Sequence, residues 1–240
     1  MDLVKDVVGT VLESPKRFVS VAIVIPTYNE EENLKKLFND YYKFFLALLG
    51  EKYLIQFVII DDSSDKGKSA KLARKHNAFV LNENYRLGYG ASLRKGLWFA
   101  LNTLKSDLII EMDADHPIKY IPDILKVLKK YDIAIGWEQN EWELSRKVTK
   151  WICDKILKLG LDHPTCGYIG FRREVLEGIP FSKMKSGHDV AHLEFMYWAL
   201  KKGYSSCSFP FFTAEHEPYA WGRRIHWLWD FFWMIFYGNI

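Results

Sequence analysis

The sequence predicts an α/β protein with a mostly parallel central sheet and helices on both faces. Three observations carry that expectation. Short β-branched runs alternate with amphipathic helical stretches between residues 19 and 136, the spacing of a doubly wound sheet. The first run is apolar from Val21 to Ile25, as a strand covered on both faces must be. Three of the runs end in polar or acidic tips, and ligands of open α/β sheets bind outside the carboxyl ends of strands.

Val19 to Ile25 reads as the first strand, ended by Pro26. A helix follows, capped by Asn29, with Glu30 to Glu32 at the positive end of its dipole and an apolar stripe of Leu34, Leu37, Phe38, Tyr41, Phe45 and Leu48. Tyr53 to Ile60 reads as the second strand, Ser69 to His76 as a helix, Ala78 to Leu81 as the third strand and Ala91 to Leu104 as a helix. Leu108 to Met112 is the fourth strand, Pro122 to Lys130 a helix with Pro in its first turn, and Ile133 to Ile135 a short fifth strand. Beyond Gly136 the rhythm changes. Leu144 to Leu159 reads as a basic helix, Gly167 to Phe171 as a strand, Val190 to Lys202 as a helix and Tyr204 to Phe212 as a strand. Val4, Val7, Val8, Val11 and Leu12 recur at helical spacing before Pro15, and no repeat or flexible linker divides the chain.

With 240 residues the chain can bury one large core without disulfides, and a net charge of +3 gives no footprint for nucleic acid. Cys153, Cys166 and Cys207 are odd in number and lack metal-ligand spacing, which fits a reducing compartment. The first residues lack the pattern of a signal peptide, so the chain is expected in the cytoplasm. Aromatic content is 16%, enriched in the segment from Ile225 to Tyr237. That segment falls short of the roughly twenty apolar residues that span a bilayer, but its Trp and Tyr suit a headgroup region beside Arg223 and Arg224. Peripheral membrane association is the expectation, with packing across the sheet or in a dimer as the alternative.

Several local patterns carry less. Gly67-Lys68-Ser69 resembles the end of a phosphate-binding loop, but Asp62 stands where that loop needs a glycine. Gly88-Tyr89-Gly90 begins a dinucleotide fingerprint that Leu93 breaks. His188 and His192 have a zinc-compatible spacing, yet no third ligand is evident and both read as surface or capping histidines.

The strongest signal is Asp113-Ala114-Asp115 at the end of the fourth strand. Side chains two apart in an extended segment point the same way, so Asp113 and Asp115 can converge on one hard cation, Mg²⁺ or Mn²⁺, against a diphosphate. The tips at Tyr28 and Asp62 would share that sheet edge, Tyr28 to pack beside a base and Asp62 to accept hydrogen bonds from a ribose or base.

These tips, with Val24 to Leu34, Ile59 to Ser64, Gly88 to Ser92, Met112 to Asp115, Ser145 to Lys147 and Gly167 to Leu176, resemble family 2 glycosyltransferases of the GT-A fold. Within that family the likeness is to dolichyl-phosphate or polyprenyl-phosphate mannosyl- and glucosyltransferases, over roughly residues 19 to 212. The resemblance implies one GT-A domain over 1–222, with a nucleotide-binding half at 19–136, an acceptor half at 137–222 and an aromatic tail at 223–240. It implies that Pro26, Tyr28, Glu30, Ile60, Asp62, Met112, Asp113, Ala114 and Arg223 bind a GDP- or UDP-hexose, that Asp113 and Asp115 hold the metal, and that Asp115, Arg146 and Glu194 serve catalysis. Arg146, Lys147 and Arg223 are the cations it assigns to phosphate.

The acceptor it implies is a lipid phosphate at the membrane surface, whose own oxygen attacks the sugar's anomeric carbon with inversion. A hydroxyl acceptor would instead need a base, for which Asp189 and Glu194 are available, and a non-catalytic binding protein is the third possibility. The chain departs from the family pattern in three places. His116-Pro117 follows the carboxylate pair at once, leaving His116 or water to complete the metal's ligands; Trp137-Glu138-Gln139 lacks an expected Arg; and Glu215 to Arg224 only approximates a phosphate-binding loop.

Overall fold

The computed structural model describes residues 18–49, 52–63, 67–82, 85–138, 147, 150–151, 153–157, 159–161, 166–187 and 190–212. The helix expected near the amino terminus and the aromatic segment after residue 212 lie outside the described residues.

The elements run β1 (Val19–Thr27), α1 (Glu31–Leu49), β2 (Tyr53–Asp61), α2 (Lys68–Lys75), β3 (Phe79–Asn82), α3 (Tyr89–Asn102), β4 (Leu108–Glu111), α4 (Ile121–Leu128), β5 (Ile133–Glu138), β6 (Ile169–Arg172), α5 (Arg173–Gly178), α6 (Val190–Lys201) and β7 (Ser206–Phe211). The strands form one sheet in the order β3-β2-β1-β4-β6-β5-β7. Pairing is parallel except at β6, which runs antiparallel to both β4 and β5. The expected α/β class and mostly parallel sheet are therefore the observed ones.

Period-two alternation divides the core between the two faces of this sheet. Ala22, Val24, Val58 and Ile60 pack with Leu93 and Leu97 of α3 and with buried residues of α5 and α6. Val21, Ile23, Ile25 and Ile59 pack with Leu34, Leu37 and Phe38 of α1, Ala73 of α2 and Ile121, Ile124 and Leu125 of α4. Both faces are covered, which explains why the strands are apolar runs rather than alternating ones.

Two boundaries differ from expectation for physical reasons. β1 continues through Pro26 to Thr27, because β4 is registered only as far as Val24 and beyond it β1 needs hydrogen bonds on the β2 side alone. Glu30, not Asn29, takes the position before α1: its carbonyl accepts the N–H of Leu34, while Asn29 adopts φ 60°. The fifth strand is also longer than its apolar run, since pairing with β7 carries it through Trp137 and Glu138.

Candidate functional site

The strand order reverses direction between β1 and β4, the point at which an open α/β sheet leaves a crevice beyond its strand ends. Into that crevice run the segments after β1, β2 and β4, the three tips singled out above.

The β1 tip is built by turn chemistry. The Thr27 hydroxyl donates to the Ile60 carbonyl at 3.2 Å, tying the first tip to the second, and the Asn29 N–H donates to the Ser63 hydroxyl at 2.8 Å. Tyr28 is left 41% exposed, with the Arg86 guanidinium 4.3 Å above its ring. Glu30 accepts a 2.7 Å hydrogen bond from the Asn33 amide. Burial raises the Glu30 carboxyl above its ordinary range, Asn33 opposes that rise, and the Asp115 charge adds to it. The first and third tips therefore face each other closely enough for their carboxylates to interact.

The β2 tip is a loop anchor. Asp61 is buried and accepts the N–H groups of Ser63 and Ala70, each at 3.2 Å. Asp62 accepts the N–H of Leu87 at 2.6 Å and of Gly88 at 2.8 Å, with Arg86 Nε 3.9 Å away. Its carboxylate thus fixes the entry to α3, where Gly88 takes φ 81°, a conformation that glycine adopts without strain. Each carboxylate oxygen has a second lone pair, so this anchor does not preclude the ribose contact expected of Asp62.

The β4 tip brings acids together. Among the described residues, ligand atoms of Asp113, Asp115 and His116 lie within 4.8 Å of one another. Asp113 is half-buried and Asp115 exposed, whereas His116 is buried and stacked on Tyr168 at 5.1 Å. His116 Nδ1 accepts the Asp113 N–H at 3.1 Å, so the neutral ring carries its proton on Nε2 and has no lone pair left for a cation. His116 orients the turn, and the two carboxylates are the hard-oxygen donors; that set suits Mg²⁺ or Mn²⁺ better than a softer metal.

Of the other expected site residues, Pro26, Ile60, Met112 and Ala114 are buried in the strand ends and the core, beneath the crevice. Glu194 is 3% exposed, and its carboxylate accepts the N–H groups of Lys185 and Ser186 at 3.1–3.2 Å. It holds the loop ahead of α6. Lys147 is exposed. Arg146, Asp189, Arg223 and His188 lie outside the described residues.

His192 overturns its expected place on the surface: it is 2% exposed, with Nδ1 2.6 Å from Glu111 Oε1 and Nε2 2.8 Å from the Tyr89 hydroxyl. That hydroxyl donates to Asp113 Oδ1 at 3.1 Å. Glu111, Tyr89, His192 and Arg86 are site residues that sequence reasoning missed. Glu111 carried a signal, since a carboxylate inside a strand buried on both faces requires a partner. Burial also pushes the Cys153 thiol up to about 12, so that cysteine is an inert part of the core.

The chain has known relatives. A dolichol-phosphate mannosyltransferase of Pyrococcus furiosus is 31% identical over 178 residues, 67% of this chain and 48% of that relative, so the chain spans about half its length. A polyprenol monophosphomannose synthase of Mycolicibacterium smegmatis is 27% identical over 218 residues, covering 81% of this chain and 77% of the relative. Among solved structures, glucosyl-3-phosphoglycerate synthase of Mycobacterium tuberculosis bound to UDP superimposes with a TM-score of 0.67 at 14% identity, covering 85% of this chain and 74% of that one. The mannosyl-3-phosphoglycerate synthase of Rubrobacter xylanophilus gives 0.65 at 18% identity, covering 88% and 72%. These likenesses bear out the expected GT-A architecture. The model of glycosyl transferase family 2 matches residues 22–179, and the chain belongs to that family.

Proposed function

We propose that this chain transfers a hexose from a nucleotide-diphospho-sugar to a polyprenyl-type phosphate at a membrane surface, with inversion at the sugar carbon. The observation that supports this reading best is the meeting of Glu30, Asp62 and the Asp113/Asp115 pair in one crevice, in a chain similar to two polyprenyl-type mannosyl enzymes. Tyr28 and Arg86 offer a stacking face and hydrogen-bond donors beside the nucleoside tip. Asp113 and Asp115 would hold Mg²⁺ or Mn²⁺, which when bound neutralises charge on the leaving diphosphate.

A phosphate acceptor is already an anion near neutral pH, so the chain needs no strong base. Its task is to hold two anions together, and Arg146, Lys147 and Arg223 are the cations proposed for that role. The engagement of Glu194 with backbone N–H groups agrees with this economy. Under this reading residues 19–136 bind the donor, 137–222 bind the acceptor, and 223–240 lie at the lipid interface. No helix among the described residues is long and apolar enough to cross a membrane.

Incubation with radiolabelled GDP-mannose, UDP-glucose and related donors, membrane lipid and Mn²⁺ tests the proposal. Label should enter the organic-soluble, phosphate-linked lipid fraction and disappear with chelator. Label in glycan or protein fractions would move the reading to a hydroxyl acceptor, and no transfer from any donor would favour a non-catalytic binding protein.

A further inference from the structure

Glu111 and His192 are buried ionisable groups that the transfer reaction, as derived so far, leaves unused. Glu111 closes β4 at 0% exposure, and His192 reaches it from α6. His192 Nδ1 stands 2.6 Å from Glu111 Oε1, out of line for a hydrogen bond. On its other side the imidazole meets Tyr89, ring edge to ring at 5.3 Å and Nε2 to hydroxyl at 2.8 Å, and the hydroxyl contacts Asp113 Oδ1 at 3.1 Å. Gly167 packs against the same group: a Cβ there would stand 2.9 Å from Asp113 Oδ2 and 3.3 Å from the His192 ring.

The order of protons follows from what each group can do. An ionised Asp113 only accepts, so Tyr89 gives its proton to Asp113. The Tyr89 oxygen must then receive the Nε2–H of His192, which leaves Nδ1 as the ring nitrogen that faces Glu111. Burying such a pair is expensive compared with apolar residues of the same volume, so core packing alone does not account for it.

We infer that Glu111, His192 and Tyr89 are positioning residues that fix the rotation of the Asp113 carboxylate for cation binding. The inference rests on the metal reading of Asp113 and Asp115 above. Outer partners of metal ligands are known to act in this way, and losing one typically weakens metal affinity about 10–100-fold.

The test is an electron paramagnetic resonance titration of Mn²⁺ into the full chain, once with GDP and once with UDP. Tyr89→Phe should weaken Mn²⁺ binding about tenfold while leaving the melting temperature near that of the wild type. His192→Leu should weaken it as much, and His192→Gln, whose amide N–H reaches about as far as Nε2, should recover most of the loss. Wild-type Mn²⁺ affinity in folded Tyr89→Phe overturns the inference alone, and that isosteric variant decides the matter if His192→Leu does not fold. A wild-type chain that takes up no Mn²⁺ with either nucleotide overturns the metal reading and this inference with it.

Discussion

Tyr89 donates to Asp113 Oδ1, His116 accepts the Asp113 backbone N–H, and the bare Cα of Gly167 allows close approach beside Oδ2. Gly167→Ala should therefore displace the carboxylate and weaken Mn²⁺ binding on the order of tenfold, measurable in the same titration. Glu30 makes a different prediction. Its carboxyl is raised in the folded chain by burial, against Asn33 and together with Asp115, so folding loses stability as pH rises from the ordinary 4.5 through the folded value. Glu30→Gln should accordingly raise the melting temperature of the metal-free chain at pH 7, and the gain should vanish as pH falls below 4.5. The Asp113/Asp115 pair was legible in sequence because strand periodicity is local. His192 was not, because its partner Tyr89 is 103 residues away and only the packing of α6 against α3 brings them together.

At the scale of elements, α3 and α6 grip the loop between them. Glu194 takes the Lys185 and Ser186 N–H groups, Arg94 donates to the Ser186 carbonyl, and Gly90 donates to Gly187 at 2.8 Å. Burial lowers the Arg94 guanidinium and the nearby Glu194 carboxylate opposes it. Glu194→Gln should thus cost about 1–3 kcal/mol in urea unfolding, because buried N–H groups lose a charged acceptor. A residue acting only as a base would lower turnover at unchanged stability. Leu97→Ala, in the fully buried face of α3 over Ala22 and Val58, should cost about 2–5 kcal/mol by the same measurement. The helices were legible from their apolar stripes and the strands from their β-branched runs. The ends of β1 and β5 were not, because neighbouring strands set them: what β4 fails to pair lets Pro26 into β1, and β7 prolongs β5.

At the scale of the whole molecule, sheet order converts three separate tips into one crevice. The reversal between β1 and β4 brings Glu30 within electrostatic reach of Asp115, and β2 ends at Asp61, followed by Asp62, on the same sheet edge. The alternation of strands and helices made the parallel half of this sheet legible. The antiparallel placement of β6 between β4 and β5 was not, since a short apolar run carries no direction. The central claim is that this crevice binds a nucleotide-diphospho-sugar through a cation held by Asp113 and Asp115. It is tested most directly by thermal shift of the wild type and Asp115→Ala with UDP- and GDP-sugars, with and without Mn²⁺. A donor at a hundredfold excess over its dissociation constant adds about 2.7 kcal/mol of stability, so the wild type should show a clear Mn²⁺-dependent rise with one donor that Asp115→Ala lacks. Equal shifts in both proteins, or no shift with any donor, would contradict the account.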